Sequence, residues 1–220
     1  MPANTEQRPL RIALSFGAMD AQLASLLARQ RAEEPDTPIA FSEVLLAEQF
    51  AGVEDGRYDV GIALGARTTV RLKARPFWHD ELALAVPVRS PLLAYPAIPL
   101  SVLVEYPVVM WDPDACTAMH HYVQALFEAA NVTPHVEAQA RSFEFMATVA
   151  AAGYGVGLAA RSWIDAARGA GIVGRSLQAD DHTITASLLY CDRKASERVT
   201  RFLDRALRCA GTDYLRGALD

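Results

Sequence analysis

Hydrophobic and polar positions alternate along this chain in blocks rather than singly. Residues 10–16, Leu-Arg-Ile-Ala-Leu-Ser-Phe, form a short apolar run stopped by Gly17, and the run predicts a buried strand. Asp20 stands where it can cap a helix with Leu23, Leu26 and Leu27 on one face, and Pro35 and Pro38 end that helix. A second strand is expected over 39–45, then a short helix over 47–55 closed by Gly56. Tyr58–Leu64 and residues 81–88 read as two further strands. Continuous apolar strands alternating with helices imply a mainly parallel sheet covered on both faces.

Pro87, Pro91, Pro96 and Pro99 then crowd into a short stretch that reads as a boundary of stiff, extended chain. Beyond it the pattern restarts. Tyr106–Trp111 is a strand, 116–130 a helix and His135–Ala140 a strand. Ser142 can cap a helix with Phe143, Met146, Val149 and Ala150 on one face. Gly153-Tyr-Gly-Val-Gly-Leu158 leads into another strand, residues 160–168 into a short helix, and 172–177 and Thr183–Cys191 into two more strands. Ala195–Cys209 is the last helix. The expected class is α/β with two Rossmann-like lobes. Lobe I takes residues 10–88 plus 192–210, lobe II takes 89–191, and 1–9 and 211–220 are tails. Parallel strands end and helices begin at the cleft expected between the lobes, which makes it the natural ligand site.

Four segments resemble the effector-binding domains of LysR-type transcriptional regulators. They are Leu10-Arg-Ile-Ala-Leu, the stretch from Glu43 to Gly56-Arg-Tyr-Asp59-Val-Gly-Ile-Ala63, Glu81-Leu-Ala-Leu-Ala-Val-Pro87, and Ser142-Phe-Glu-Phe-Met-Ala-Thr-Val149 through Gly153-Tyr-Gly155-Val-Gly157-Leu158. Their order and spacing match from about residue 10 to residue 207. The resemblance implies a type II periplasmic-binding-protein-like fold with a central ligand cleft. It also implies a homodimer or tetramer assembled through contacts of lobe I with lobe II, a cytoplasmic setting, and no catalytic residue. The DNA-binding winged helix-turn-helix that precedes this region in the family is not in the sequence, so the chain is expected to sense without binding DNA itself. Two departures stand out. Ala159-Ala160 replace the usual Leu-Pro, and Leu46 stands where many members carry a hydroxyl.

The candidate ligand residues cluster at the ends of the expected strands. Ser15, Phe16, Gly17 and Ala18 follow the first strand at a helix N-terminus, which attracts anions. Leu46 opens the second helix, and Leu64, Gly65 and Arg67 close the third strand. Trp111, Cys116, Thr117 and His120 surround the helix after Trp111-Asp-Pro-Asp114, while Arg141 and Phe143 follow the next strand. Each has a structural alternative. Ser and Gly are common in β-to-α turns, Asp114 or Thr117 can cap the helix, the two arginines can be loop residues, and Phe16, Trp111 and Phe143 can be core. With Ser15 facing Thr117, a carboxylate held between two helix N-termini is one arrangement open to this set. The ligand class is a small organic anion, aromatic acids among the options.

Other chemistry finds little support. Cys116 and His120 could form a nucleophilic pair, but no oriented acid or oxyanion turn accompanies them. His120 and His121 are adjacent on a helix and lack a third ligand, so no metal site is expected. Gly153-Tyr-Gly155-Val-Gly157 follows a helix and enters a strand, the reverse of a dinucleotide loop, and reads as a helix C-cap; no cofactor is expected. The net charge of −5 and the scattered arginines give no footprint for nucleic acid. Arg198, Arg201, Arg205 and Arg208 are expected to form a solvated helix face. Three unpaired cysteines fit a reducing compartment, and no apolar stretch is long enough to span a bilayer. Two rivals share the scaffold: a transport-type solute-binding protein and an enzyme.

Overall fold

The computed structural model describes residues 8–167, 169–179, 182–192 and 195–214, with side chains to Cys209. The expected tails over residues 1–7 and 215–220, and the expected helix end at 168, lie outside them. In chain order the elements are β1 (Leu10–Leu14), α1 (Ala21–Glu33), β2 (Ile39–Glu43), α2 (Leu46–Asp55), β3 (Val60–Leu64), β4 (Lys73–Pro87), β5 (Ala97–Pro99) and β6 (Pro107–Trp111). They continue with α3 (Thr117–Ala129), β7 (His135–Ala140), α4 (Phe143–Ala151), β8 (Val156–Ala160), α5 (Arg161–Ala166), β9 (Ile172–Gln178), β10 (Thr183–Tyr190) and α6 (Glu197–Tyr214). By compactness the chain divides between Trp78 and His79 and again between Ile184 and Thr185. Both breaks fall inside long strands, β4 and β10, rather than at the proline-rich segment.

The first unit is a β-α-β-α-β layer with a returning strand. Its sheet runs β2-β1-β3-β10. The first three strands are parallel, with Leu10 opposite Ile39 and Ile12 opposite Val60, and β10 is antiparallel to β3. All five residues of β3 are buried, as a strand covered on both faces requires. Asp20 caps α1 by accepting from the Gln22 N–H at 3.0 Å. At the strand entrances Arg11 grips Asp59, with guanidinium-to-carboxylate distances of 3.1 and 2.7 Å. Burial pushes the Asp59 carboxyl up, but the Arg11 hydrogen bonds outweigh it and hold the group below its usual range.

The last helix corrects one expectation. Arg201 and Arg208 stand about half exposed, as expected of a solvated face, but Arg205 does not. Arg205 is 3% exposed and donates to Gln30, to Glu33 at 2.8 Å and to Glu34 at 3.0 Å. Arg201 joins Glu34 at 2.7 Å and Arg208 joins Glu33 at 3.3 Å. The physical reason is partnership: α1 ends in Gln30, Glu33 and Glu34, and α6 packs against it. These contacts hold the Glu33 carboxyl at about 2, chiefly through Arg29 and then Arg205, and Glu34 at about 2, chiefly through Arg201.

The second unit repeats the β-α-β-α-β pattern over β6-α3-β7-α4-β8. Its sheet runs β4-β8-β6-β7, with β9 also beside β4 and β5 beside β9. β6 is parallel to both β7 and β8, whereas β4 is antiparallel to β8 and β9. The glycine cluster is structural. Gly153 takes φ +86° after α4; its N–H donates to Ala150 and that of Tyr154 donates to Val149, a Schellman closure. A Cβ on Gly155 would lie 2.7 Å from the Pro107 carbonyl oxygen, and one on Gly157 would lie 2.4 Å from Met146 Sδ.

Two segments depart from the sequence reading. β4 begins at Lys73, well before the expected 81, because Phe77 and Trp78, pointing to opposite faces, are both buried in a stretch whose charges and Pro76 hide the pattern. The helix expected to stop at Cys209 continues to Tyr214.

Candidate functional site

In the first unit the parallel strands end together, and the loops that follow carry the candidate residues. Ser15 lies just past β1, its N–H donating to the Ile62 carbonyl at 3.3 Å and its carbonyl accepting from Ala18 N at 3.1 Å. Gly17 makes the turn with φ +85°, a conformation side chains resist. Ala18 is fully buried and Phe16 half-buried. Ser15 is 2% exposed, yet its hydroxyl oxygen has no hydrogen-bond partner. A buried hydroxyl without a partner is uncommon enough to demand an explanation.

The neighbouring loops join this point. Val44 N donates to the Leu14 carbonyl at 2.9 Å, which brings the exit of β2 against that of β1. Leu46, half-buried, then opens α2, whose N-cap makes no side-chain hydrogen bond. Leu64 is buried at the end of β3, and Gly65 follows with φ +64° and its N–H on the Thr185 carbonyl at 3.1 Å. Arg67 stands exposed in the loop beyond.

A residue the sequence reading passed over completes the cluster. Gln49 of α2 is fully buried, and its Nε2 donates to the Ala13 carbonyl at 2.8 Å and the Ile62 carbonyl at 3.0 Å. It fits because Gly61 faces it: a Cβ there would sit 3.0 Å from Gln49 Cγ. The signal was present in the sequence. Leu46, Gln49 and Val53 fall at i, i+3 and i+7, one helical stripe, and a polar residue on a buried stripe marks a built interaction.

The second unit gathers its candidates at the ends of β6, β7 and β8. Trp111 is fully buried and its Nε1 donates to the Leu158 carbonyl at 2.7 Å. The carboxylate ordering the loop is Asp112, not the expected Asp114; it accepts from the N–H groups of Asp114 at 3.1 Å and Ala115 at 2.7 Å. Cys116 is the N-cap of α3 but makes no capping hydrogen bond. Thr117 does not cap either, since its hydroxyl donates to the Asp114 carbonyl at 3.2 Å. Phe143 begins α4, capped by Ser142, which accepts from Phe145 N at 3.2 Å. Trp163, also unnoticed in the sequence, meets both Trp111 and Phe143 edge-on, at centroid distances of 6.1 and 5.9 Å.

Cys116 and His120 are turned to different partners. The thiol donates to the Arg141 carbonyl at 3.5 Å, and His120 Nδ1 donates to the Trp111 carbonyl at 2.7 Å. Burial, helped by the charge of Asp112, pushes the Cys116 thiol up to about 12, so it is held protonated. The Arg141 side chain is exposed. Among the described residues no group of three or more His, Cys, Asp or Glu could hold a metal ion, and no helix is long and apolar enough to cross a membrane.

A family model for the LysR substrate binding domain matches residues 3–210. The chain belongs to that family. The matched model is that of a substrate binding domain, and it takes in nearly the whole of this chain. Among curated proteins, the uncharacterized HTH-type transcriptional regulator YnfL of Escherichia coli is 24% identical over 128 residues, covering 58% of this chain and 43% of YnfL. The chain thus spans under half the length of that relative. Among solved structures, the BenM effector binding domain with its effector benzoate is 16% identical, with a TM-score of 0.83 over 96% of this chain and 94% of that one. The effector binding domain of QuiR in complex with shikimate is 15% identical, with a TM-score of 0.83 over 94% of this chain and 98% of that one. At such identities the likeness establishes the fold, the type II periplasmic-binding-protein-like arrangement.

Proposed function

We propose that this domain senses a small organic carboxylate, recognised by residues at the ends of its parallel strands. The observation that carries the reading is the Ser15 hydroxyl, buried and without a protein partner in the turn that follows β1. A buried hydroxyl left so can donate to an anionic oxygen. Support for the class of ligand comes from the neighbours: benzoate and shikimate, named with BenM and QuiR, both carry a carboxylate. Phe16, Gly17, Ala18, Leu46, Leu64, Gly65 and Arg67 complete the first unit's contribution. Trp111, Cys116, Thr117, His120, Arg141 and Phe143 make that of the second.

The site performs no chemistry on its ligand, in keeping with a thiol held protonated at Cys116. The domain works in the cytoplasm as part of a homodimer or tetramer, and ligand binding biases its conformational equilibrium toward one state read by a DNA-binding partner domain. Supporting the self-association, β2 is an edge strand whose Phe41 is 52% exposed, beside a groove of about 520 Å³ lined by Leu27, Pro35, Ile39 and Phe41. The test is a thermal-shift screen of small carboxylates, benzoate and shikimate included. An acid that raises the Tm should lose its effect in Ser15→Ala and Thr117→Val variants. An unchanged shift in both variants refutes the assignment.

A further inference from the structure

Gln49 poses a problem that its two hydrogen bonds do not solve. Its Nε2 must face the Ala13 and Ile62 carbonyls, because both are acceptors and only the NH2 end can donate to them. That fixes the other end of the amide as the acceptor Oε1. This oxygen is buried and has no hydrogen-bond partner. The amide cannot turn over to relieve it without setting Oε1 against two carbonyl oxygens. The Ser15 hydroxyl, likewise buried and unpartnered, belongs to the same knot of backbone: Ser15 N and Gln49 Nε2 donate to one oxygen, that of Ile62.

A buried carbonyl without a donor is expensive, and an apolar side chain would pack on the same stripe of α2. A notch is kept for the amide instead, by glycine at position 61. We infer that Gln49 Oε1 and Ser15 Oγ form a buried donor-binding point, which takes an O–H or N–H group. Ser15 can either donate or accept, but Gln49 Oε1 only accepts, so the Gln49 end of the pair takes a donor, while the Ser15 hydroxyl can still donate to a carboxylate oxygen of the same molecule. Two sources fit that chemistry, an internal water or a hydroxyl or amino group on the effector. The second source rests on the carboxylate reading above and narrows it to hydroxy and amino acids.

The experiment has two arms. First, the ligand-free chain and its Gln49→Met variant are crystallised at a resolution that shows waters. A donor atom within about 3.2 Å of Gln49 Oε1, lost in the variant, is the expected result; an Oε1 with no donor, or an amide turned away from Ala13 and Ile62, overturns the inference. If Gln49→Met does not fold, Ser15→Ala serves, with the donor expected to be displaced or lost. Second, propanoate, lactate and alanine, and the matched series phenylacetate, mandelate and phenylglycine, are titrated calorimetrically against the wild type and both variants. Where the effector supplies the donor, the substituted acids bind about tenfold more tightly than the plain ones, the worth of one good hydrogen bond, and the gap closes in Gln49→Met. Acids that bind without that gap assign the point to a resident water. If none of the acids binds, the carboxylate reading fails, while the crystallographic arm still decides this inference.

Discussion

Truncation of Arg205 tests the clamp between α1 and α6. The side chain is 4% exposed and its guanidinium serves Gln30, Glu33 and Glu34 at once. In Arg205→Ala the two acids are not orphaned, since Glu33 keeps Arg29 at 2.6 Å and Glu34 keeps Arg201 at 2.7 Å. Each lost ion pair is part-exposed and contributes under about 1 kcal/mol. Gln30 fares worse. It is 1% exposed, and its side-chain carbonyl loses the guanidinium, at a penalty of about 1–3 kcal/mol. Removing the buried aliphatic stem adds about 1–2 kcal/mol.

The expected loss for Arg205→Ala is therefore about 2–7 kcal/mol, with about 4 kcal/mol, near the middle, giving roughly a 10 °C fall in Tm for a chain of this size. Arg201→Ala and Arg208→Ala, whose side chains are 49% and 51% exposed, should each lose less than about 1 kcal/mol. Urea and thermal unfolding followed by circular dichroism measure all three. A double-mutant cycle of Arg205→Ala with Gln30→Ala should show a coupling of about 1 kcal/mol or more. If Arg205→Ala falls within about 1 kcal/mol of Arg208→Ala, the helix face behaves as solvated and the clamp argument is refuted.

The same clamp predicts acid sensitivity. Glu33 and Glu34 titrate lower in the folded chain, at about 2, than in the unfolded one, so their contribution is complete above about pH 4.5 and disappears as pH falls toward 2; urea midpoints over that range should show the decline, and Arg201→Ala should flatten it. Gly155→Ala should destabilise by about 1–3 kcal/mol, because its Cβ meets the Pro107 backbone, which cannot rotate aside; a neutral result in urea unfolding would count against the packing of β8 on β6. Cys116 should be the last cysteine to react with a thiol reagent at pH 8, its thiol being held up at about 12, with Cys191 and Cys209 both reacting first; peptide mapping of the labelled chain reads the order.

What was legible in the sequence follows from how far each signal reaches along the chain. The strands β1, β3, β6 and β8 announced themselves because both faces of each are buried, so an uninterrupted apolar run had no competing reading. The first half of β4 did not, since Lys73, Arg75, Pro76 and His79 break the run while Phe77 and Trp78 do the packing. Arg205 was illegible for a different reason. Its spacing is that of a solvated helix face, and the residues that bury it lie about 170 positions upstream, beyond any local pattern. The candidate site divides in the same way. Residue type and strand-end position located Ser15, Trp111 and Cys116, but which of their polar atoms are satisfied depends on neighbours brought by other strands. Thr117 spends its hydroxyl on Asp114, Cys116 spends its thiol on Arg141, and Ser15 keeps its own unspent. The two hydroxyls paired in the sequence thus differ in one respect, that Thr117 has a protein partner and Ser15 has none. Gln49 stands between the two cases, since its place on a buried stripe was readable, whereas the unpartnered oxygen that makes it informative appears only once Ala13 and Ile62 have claimed its nitrogen.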